Sequence, residues 1–304
     1  MPENIKKTSV DRFCFRTREN PGLVASFSRT IFPPGVEIVC LEKGGLGYEK
    51  RLQVTHGGDL VLTAFYGGDH QKNTQYVDIT GKGCGLIKWD DPLVQRLIDE
   101  YIPGTILKRI DIALDFYHGE VTHDCIKRAY QDDGFTNYRN KPRCNYVGPT
   151  FDDSDQGRTI YIGTRGKGLF LRCYEKGKKE YRSENNPLPN WYRIELELRP
   201  AKTPILPPSY YIQNRDNFFA GSYPFLGQLL PNVIPEKSRK GKDDGLELMQ
   251  LLEQIQKQYG PTLKTAIDIL GVDTVLQAVV DPTRDNLKLR KKFEAIKDNS
   301  EAPF

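Results

Sequence analysis

The chain has 304 residues, a formal net charge of +4 and 28% charged side chains, with 38% hydrophobic and 11% aromatic residues. That apolar content can bury a core, so disorder is not the expectation, and no apolar run approaches the roughly 20 residues a membrane span needs. At roughly 150 residues per domain the length admits two domains or one large one, and a small positive total permits nucleic acid on one basic face without requiring it.

The start, Met1-Pro2-Glu3-Asn4-Ile5-Lys6-Lys7, has no apolar stretch behind its charges and does not read as a signal peptide. Cys14, Cys40, Cys84, Cys125, Cys144 and Cys173 form no C-x-x-C pair and read as reduced thiols, mostly small core residues. His56, His70, His118 and His123 make no H-x-H or H-x-x-H pair, so a histidine metal site is not expected.

In chain order, an alternating strand Val10–Phe15 is followed by a helix over Pro21–Phe32 and strands near Val36–Leu41, Lys50–Val54, Leu60–Phe65 and Gln75–Ile79. A helix over Pro92–Tyr101 closes this first half. A second half opens on the strand Arg109–Phe116, then a helix over Thr122–Gln131 with Thr122 as its N-cap. Strands at Thr159–Thr164, Leu169–Lys176 and Tyr192–Arg199 and a helical stretch in Ser209–Phe219 complete it. Glycine pairs such as Gly44-Gly45, Gly57-Gly58 and Gly67-Gly68 punctuate the strands. The expected class is α+β: a β-α-β-β type unit used twice, giving antiparallel sheets with helices on one face, plus a helical C-terminal region.

The expected divisions are 1–104, 105–230, a linker at 231–245 and a helical region at 246–304. The linker carries Lys237-Ser238-Arg239-Lys240-Gly241-Lys242. Helices are expected at Leu246–Tyr259, Thr262–Leu270 and Thr274–Val280, before a basic tail with Arg290-Lys291-Lys292. Two short helices meeting at Gly271 suit either a helix-turn-helix or a hairpin that buries its apolar stripes.

Strand parity sorts the chemistry, because alternate residues share a face. With Ile110, Ile112, Leu114 and Phe116 inward, Arg109, Asp111, Ala113 and Asp115 share the other face. The same rule puts Arg193, Glu195, Glu197 and Arg199 outward in the last strand, and Phe170, Arg172, Tyr174 and Lys176 outward in 169–176. All would line one open sheet surface. A hard divalent ion with oxygen ligands could offset these carboxylates. So could a cross-strand ladder through Arg109, Arg172, Arg193 and Arg199. The pattern leaves both open.

Four stretches in order, Arg109–Phe116, Tyr161-Ile162-Gly163-Thr164-Arg165, Arg172-Cys173-Tyr174-Glu175-Lys176 and Tyr192–Leu198, resemble the replication initiation factor family. That family includes plasmid Rep proteins of the pT181 type and RstA-like initiators of filamentous phages. Tyr174-Glu175-Lys176-Gly177, where plasmid members usually have Tyr-Asn-Lys, and Gly119–Asp124 place the likeness nearer the phage branch. It covers roughly residues 105–225.

The resemblance implies a rolling-circle initiator, a metal-dependent nicking-closing endonuclease. It would form a 5′-phosphotyrosine and free a 3′-hydroxyl primer, in the cytoplasm of a bacterial host. It places the nucleophile on Tyr174, with Lys176 and Arg172 beside it. It places the Mg²⁺ or Mn²⁺ ligands on Asp111, Glu195 and Glu197, with Asp115 a further candidate that could instead hold Arg109 or Arg193. Lys176, about 7 Å along the strand, would favour the phenolate. Arg109, Arg165, Tyr161, Phe170, Arg193, Lys240, Lys242, Arg290 and Lys291 are the expected DNA contacts. Among them Tyr161 and Phe170 could stack on unpaired bases or simply pack against loops.

Expected partners are partly single-stranded origin DNA of a phage or plasmid, host helicase and polymerase, and a second copy of the chain; no membrane is expected. The missing H-x-H motif separates the chain from histidine-dependent rolling-circle initiators, and the tyrosine-recombinase pattern is missing too. The rival readings are a non-catalytic, sequence-specific DNA-binding regulator on the same fold and a partner-binding protein with an ordinary salt-bridged sheet.

Overall fold

The computed structural model describes residues 7–101, 105–137, 140–149, 156–166, 168–181, 185–200, 206–237, 256 and 259–279. The chain divides into two compact units, Met1–Ser238 and Arg239–Phe304. Residues 1–104 and 105–230 therefore lie in one unit, and they share one sheet.

The first unit holds ten strands: β1 Ser9–Arg18, β2 Val36–Leu41, β3 Lys50–His56, β4 Asp59–Tyr66, β5 Thr74–Ile79, β6 Ile106–Phe116, β7 Cys144–Val147, β8 Thr159–Gly163, β9 Leu169–Glu175 and β10 Tyr192–Leu198. Their order across the sheet is β2-β3-β4-β5-β1-β6-β10-β9-β8-β7, with every neighbouring pair antiparallel. Expected as sheets of two units, the strands thus form one continuous sheet. Its centre is the pairing of the two opening strands, β1 and β6, from Ser9↔Ala113 to Arg16↔Ile106. Pairing them removes two edges that would otherwise present open backbone groups.

The helices are α1 Pro21–Ile31, α2 Gly81–Leu86, α3 Pro92–Arg96, α4 His123–Gln131, α5 Lys176–Glu180, α6 Pro208–Gln213, α7 Arg215–Ser222 and α8 Pro224–Leu229. In the second unit the described residues 259–270 are helical (α9) and α10 is Val272–Val279. Their starts are chemically marked. Asn20, Thr80, Asp91 and Thr122 each accept a backbone N–H of the first turn of α1, α2, α3 and α4. The helix expected over Pro92–Tyr101 is α3 followed by a wider turn, Leu97–Tyr101. Parity did not reveal β7, a short strand whose residues are all exposed, or the glycine-rich α2.

One face of the sheet carries the core: Phe13 and Phe15 from β1, Ile110, Ile112, Leu114 and Phe116 from β6, and Ile194, Leu196 and Leu198 from β10 are all buried. Val24 and Phe27 of α1, Ile126 of α4 and Phe218 and Phe219 of α7 join the same core. Burying such side chains contributes roughly 1.5–3 kcal/mol each. Cys14, Cys84 and Cys173 are buried unpaired thiols, whereas Cys40 and Cys144 are exposed. Among the described residues no helix is long and apolar enough to cross a membrane.

Candidate active site

The other face is polar, as parity predicts, but it is not an open surface. Asp111 and Glu197 are 1% exposed, and Arg109, Glu195 and Tyr174 are buried as well. The register explains why. Arg172 of β9 lies opposite Glu195 of β10, and Glu197 of β10 lies opposite Asp111 of β6, so each long arginine folds across its neighbours' carboxylates.

Asp111 accepts from Arg109 Nε at 2.7 Å and from Arg172 Nη2 at 2.7 Å. Arg172 also pairs with Glu195. Glu197 is held by Arg109 at 3.1 Å and Arg199 at 2.9 Å, with Arg165 at 3.7 Å. Asp115 takes Arg193 Nε at 2.8 Å and Trp191 Nε1 at 2.6 Å. Of the two partners open to Asp115 in the sequence, Arg193 is the one it holds. These pairs form the cross-strand ladder that the sequence allowed.

A cleft of about 1320 Å³ opens over this face at the end where β1, β6, β9 and β10 meet, and Asp11, Asp111, Glu195, Tyr174, Arg172 and Arg193 all border it. Lys176 borders it too, whereas Glu197 and Asp115 do not. Tyr174 Oη donates to Glu195 Oε2 at 3.3 Å. Burial pushes the Tyr174 phenol up, the Glu195 carboxylate adds to this, and Arg193 and Arg172 offset part of it. Burial likewise raises Glu195 to about 7; Arg172 opposes the shift and the carboxylates of Asp11 and Asp111 reinforce it.

Lys176 is not where parity puts it. Strand β9 ends at Glu175, and Lys176 opens α5, pairing with Glu180 and lying 5.4 Å over the Trp191 ring. The turn brings Gly177 against Leu188, where a Cβ would stand 2.0 Å from the Leu188 carbonyl oxygen. The cation over the Tyr174 ring is Lys179, at 5.0 Å. A lysine-stabilised phenolate along the strand is therefore replaced by a neutral phenol hydrogen-bonded to a carboxylate.

Asp11 is the residue that sequence reasoning missed. Strict alternation puts it with the inward Phe13 and Phe15. The β1–β6 register instead slips between Val10 and Arg12, which pair with the consecutive residues Ile112 and Asp111. This bulge turns Asp11 to the polar side, where Arg193 Nη1 donates to it at 2.5 Å. The only sequence signal was a carboxylate breaking an otherwise apolar parity.

Tyr161 and Phe170 stack on the same face, with ring centroids 5.6 Å apart and planes 8° from parallel. Lys240, Lys242, Arg290 and Lys291 lie outside the described residues. Among the described residues no group of three or more His, Cys, Asp or Glu side chains is disposed to hold a metal ion.

Comparison with known proteins adds to this geometry. Residues 105–215 match the family model described as replication initiation factor. The fold is similar to that of a rolling circle replication initiator protein from Geobacillus stearothermophilus, at 21% identity and a TM-score of 0.55, over 76% of this chain and 99% of that one. No curated protein matches the chain.

Proposed function

We propose that this chain, matched to the replication initiation factors over 105–215 and folded like a rolling-circle initiator, nicks one DNA strand through Tyr174. The observation that carries the reading is the hydrogen bond from Tyr174 Oη to Glu195 Oε2 inside a cleft shared with Asp11, Asp111, Arg172 and Arg193. A buried phenol needs some acceptor, and here that acceptor is a carboxylate able to take its proton.

The chemistry follows from these atoms. Glu195 takes the phenolic proton as the Tyr174 oxygen attacks phosphorus. The O–P bond to tyrosine forms, the bond from phosphorus to the 3′-oxygen breaks, and the departing oxygen takes up a proton. The energy of the phosphodiester stays in the phosphotyrosine, so the reverse attack reseals the strand. Arg172 and Arg193 supply positive charge where the phosphoryl oxygens gain negative charge.

A divalent ion such as Mg²⁺ or Mn²⁺ suits the donor set in kind, since Asp11, Asp111 and Glu195 are among the carboxylates bordering the cleft and hard cations take oxygen ligands. Asp11, Asp111 and Glu195 would hold it only by turning from their arginine partners, because as they stand they are not disposed around one ion. Bound there, it supplies charge neutralisation on the scissile phosphate. Glu197 and Asp115, held by Arg109, Arg199 and Arg193 away from the cleft, are structural partners in this reading.

The substrate is partly single-stranded origin DNA of a phage or plasmid in a bacterial cytoplasm. The freed 3′-hydroxyl serves the host polymerase once a helicase has opened the duplex, and a second copy of the chain is a further expected partner. The second reading is a DNA-binding regulator without nicking, favoured by the arginine pairing of Asp11, Asp111 and Glu195. Incubation with supercoiled replicon DNA and a divalent ion separates the two. A denaturant-resistant protein–DNA complex is the expected result, and its absence with origin DNA bound supports the regulator.

A further inference from the structure

A second cavity, of about 400 Å³, adjoins the cleft, and Tyr161 and Arg172 border both. Its other walls are Arg143, Asn145, Gly163, Thr164, Arg165 and Phe170. Strand β8 closes at Gly163, whose φ is +95° and where a Cβ would stand 2.8 Å from the Leu169 carbonyl oxygen. Glycine is required there. It sets no side chain opposite Phe170 in the register, and Phe170 stacks instead on Tyr161, diagonally across the two strands. Phe170 is buried and Tyr161 half-buried, so Tyr161 is the ring that borders open space, backed by Phe170.

The polar groups around this ring are short of partners. Asn145 lies opposite Tyr161 in the β7–β8 register, is exposed, and makes no side-chain hydrogen bond among the described residues. Arg143 is exposed and makes no ion pair among the described residues. Arg165 has one long contact, 3.7 Å to Glu197. Arg172 Nε is buried without a hydrogen-bond partner. An aromatic platform with an amide and guanidiniums around it matches the three parts of a nucleotide: a base face to stack, a base edge to pair, and a phosphate. The cavity is also of the size that encloses a small ligand.

We infer that this cavity is a subsite for one unpaired nucleotide flanking the nick. The base lies on Tyr161, its edge meets Asn145, and its phosphate meets Arg143 and Arg165. Tyr161 lies opposite Arg172, two residues from Tyr174 on β9 and about 7 Å along the strand. The subsite thus holds the DNA strand at a fixed distance from the attacking oxygen and favours particular bases at that position. This inference rests on the nicking function proposed above and adds a residue-level account of its strand selection.

The test uses the full chain carrying Tyr174→Phe, so that DNA binds without being cut. Origin oligonucleotides carry a fluorescent purine analogue at successive positions around the nick. One position is expected to be quenched on binding. Tyr161→Leu should relieve that quenching and weaken oligonucleotide binding by about 5- to 150-fold, the range for loss of one base–aromatic stack. Tyr161→Phe should preserve both. Asn145→Ala, an exposed change that spares the fold, should alter the base preference at the quenched position alone. Unchanged quenching and affinity in Tyr161→Leu, or unchanged base preference in Asn145→Ala, would overturn the subsite while leaving the nicking reading intact. No oligonucleotide binding by the Tyr174→Phe chain would overturn both.

Discussion

Tyr174 and Glu195 sit diagonally across the β9–β10 pair, joined by a 3.3 Å hydrogen bond at the wall of the cleft. The phenol cannot ionise easily where burial disfavours its charge, but it can hand its proton to a carboxylate already in contact. Burial and the neighbouring carboxylates hold Glu195 at about 7, within reach of both protonation states near neutrality.

Replacing Tyr174 with phenylalanine removes the attacking oxygen and keeps the ring. Nicking and the covalent adduct are expected to vanish, with DNA affinity retained and stability lowered by about 1–3 kcal/mol for the lost hydrogen bond to a buried carboxylate. Peptide mapping of a DNA-linked fragment from the unaltered chain gives the direct check. A phosphotyrosine at Tyr161 or any position other than Tyr174 would falsify the assignment.

Glu195→Gln keeps the shape of the side chain but cannot accept the proton as a carboxylate does. Nicking is expected to fall by about 10²- to 10⁴-fold with DNA binding little altered. A chelator should likewise stop nicking by the unaltered protein and spare most DNA binding. A Glu195→Gln variant that nicks at the normal rate would remove Glu195 from the mechanism.

Asp11→Asn tests the bulge. If Asp11 helps hold a divalent ion, the variant should need a higher metal concentration for half-maximal nicking, by about 10- to 100-fold. An identical metal titration curve would assign Asp11 only to holding Arg193.

His123 gives a pH prediction separate from the cleft. It is buried against Tyr146 and Tyr192, and burial holds it down at about 4, with Arg158 and Lys127 adding to the shift and Glu175 and Asp124 opposing it. The unfolded chain binds its proton near pH 6.5, the folded chain only near 4. As pH falls between those values only the unfolded state gains the proton, so the fold loses stability. Urea midpoints should drop more steeply over that window for the unaltered protein than for His123→Phe; equal slopes would contradict the assignment.

The basic C-terminal region is predicted to help select the origin. Changing Arg290 and Lys291 to alanine in the full chain should narrow the difference in affinity between origin and scrambled duplex. If both contact phosphates, the slope of log affinity against log salt should fall by about 0.9 per contact. Cleavage of a single-stranded oligonucleotide should be unaffected. Unchanged discrimination and slope would leave the tail without this role.

Sequence alone determined the two faces of the central strands. Side-chain alternation is a local property of extended backbone, so Asp111, Glu195 and Tyr174 could be put on one side from Ile110, Ile112 and their neighbours. The helix start at Thr122 was fixed as locally, by a side chain accepting its own helix's first N–H groups. What depended on pairing between distant segments was decided only by the tertiary structure. The β1–β6 bulge brought Asp11 into the cleft. The chain turned from β9 into α5 at Lys176, with Leu188 packed against Gly177 where no side chain fits. The register of β6, β10 and β9 chose which arginine meets which carboxylate. A bulge or a register shift changes which residues face each other without changing the composition of either strand, so parity along one strand cannot report it.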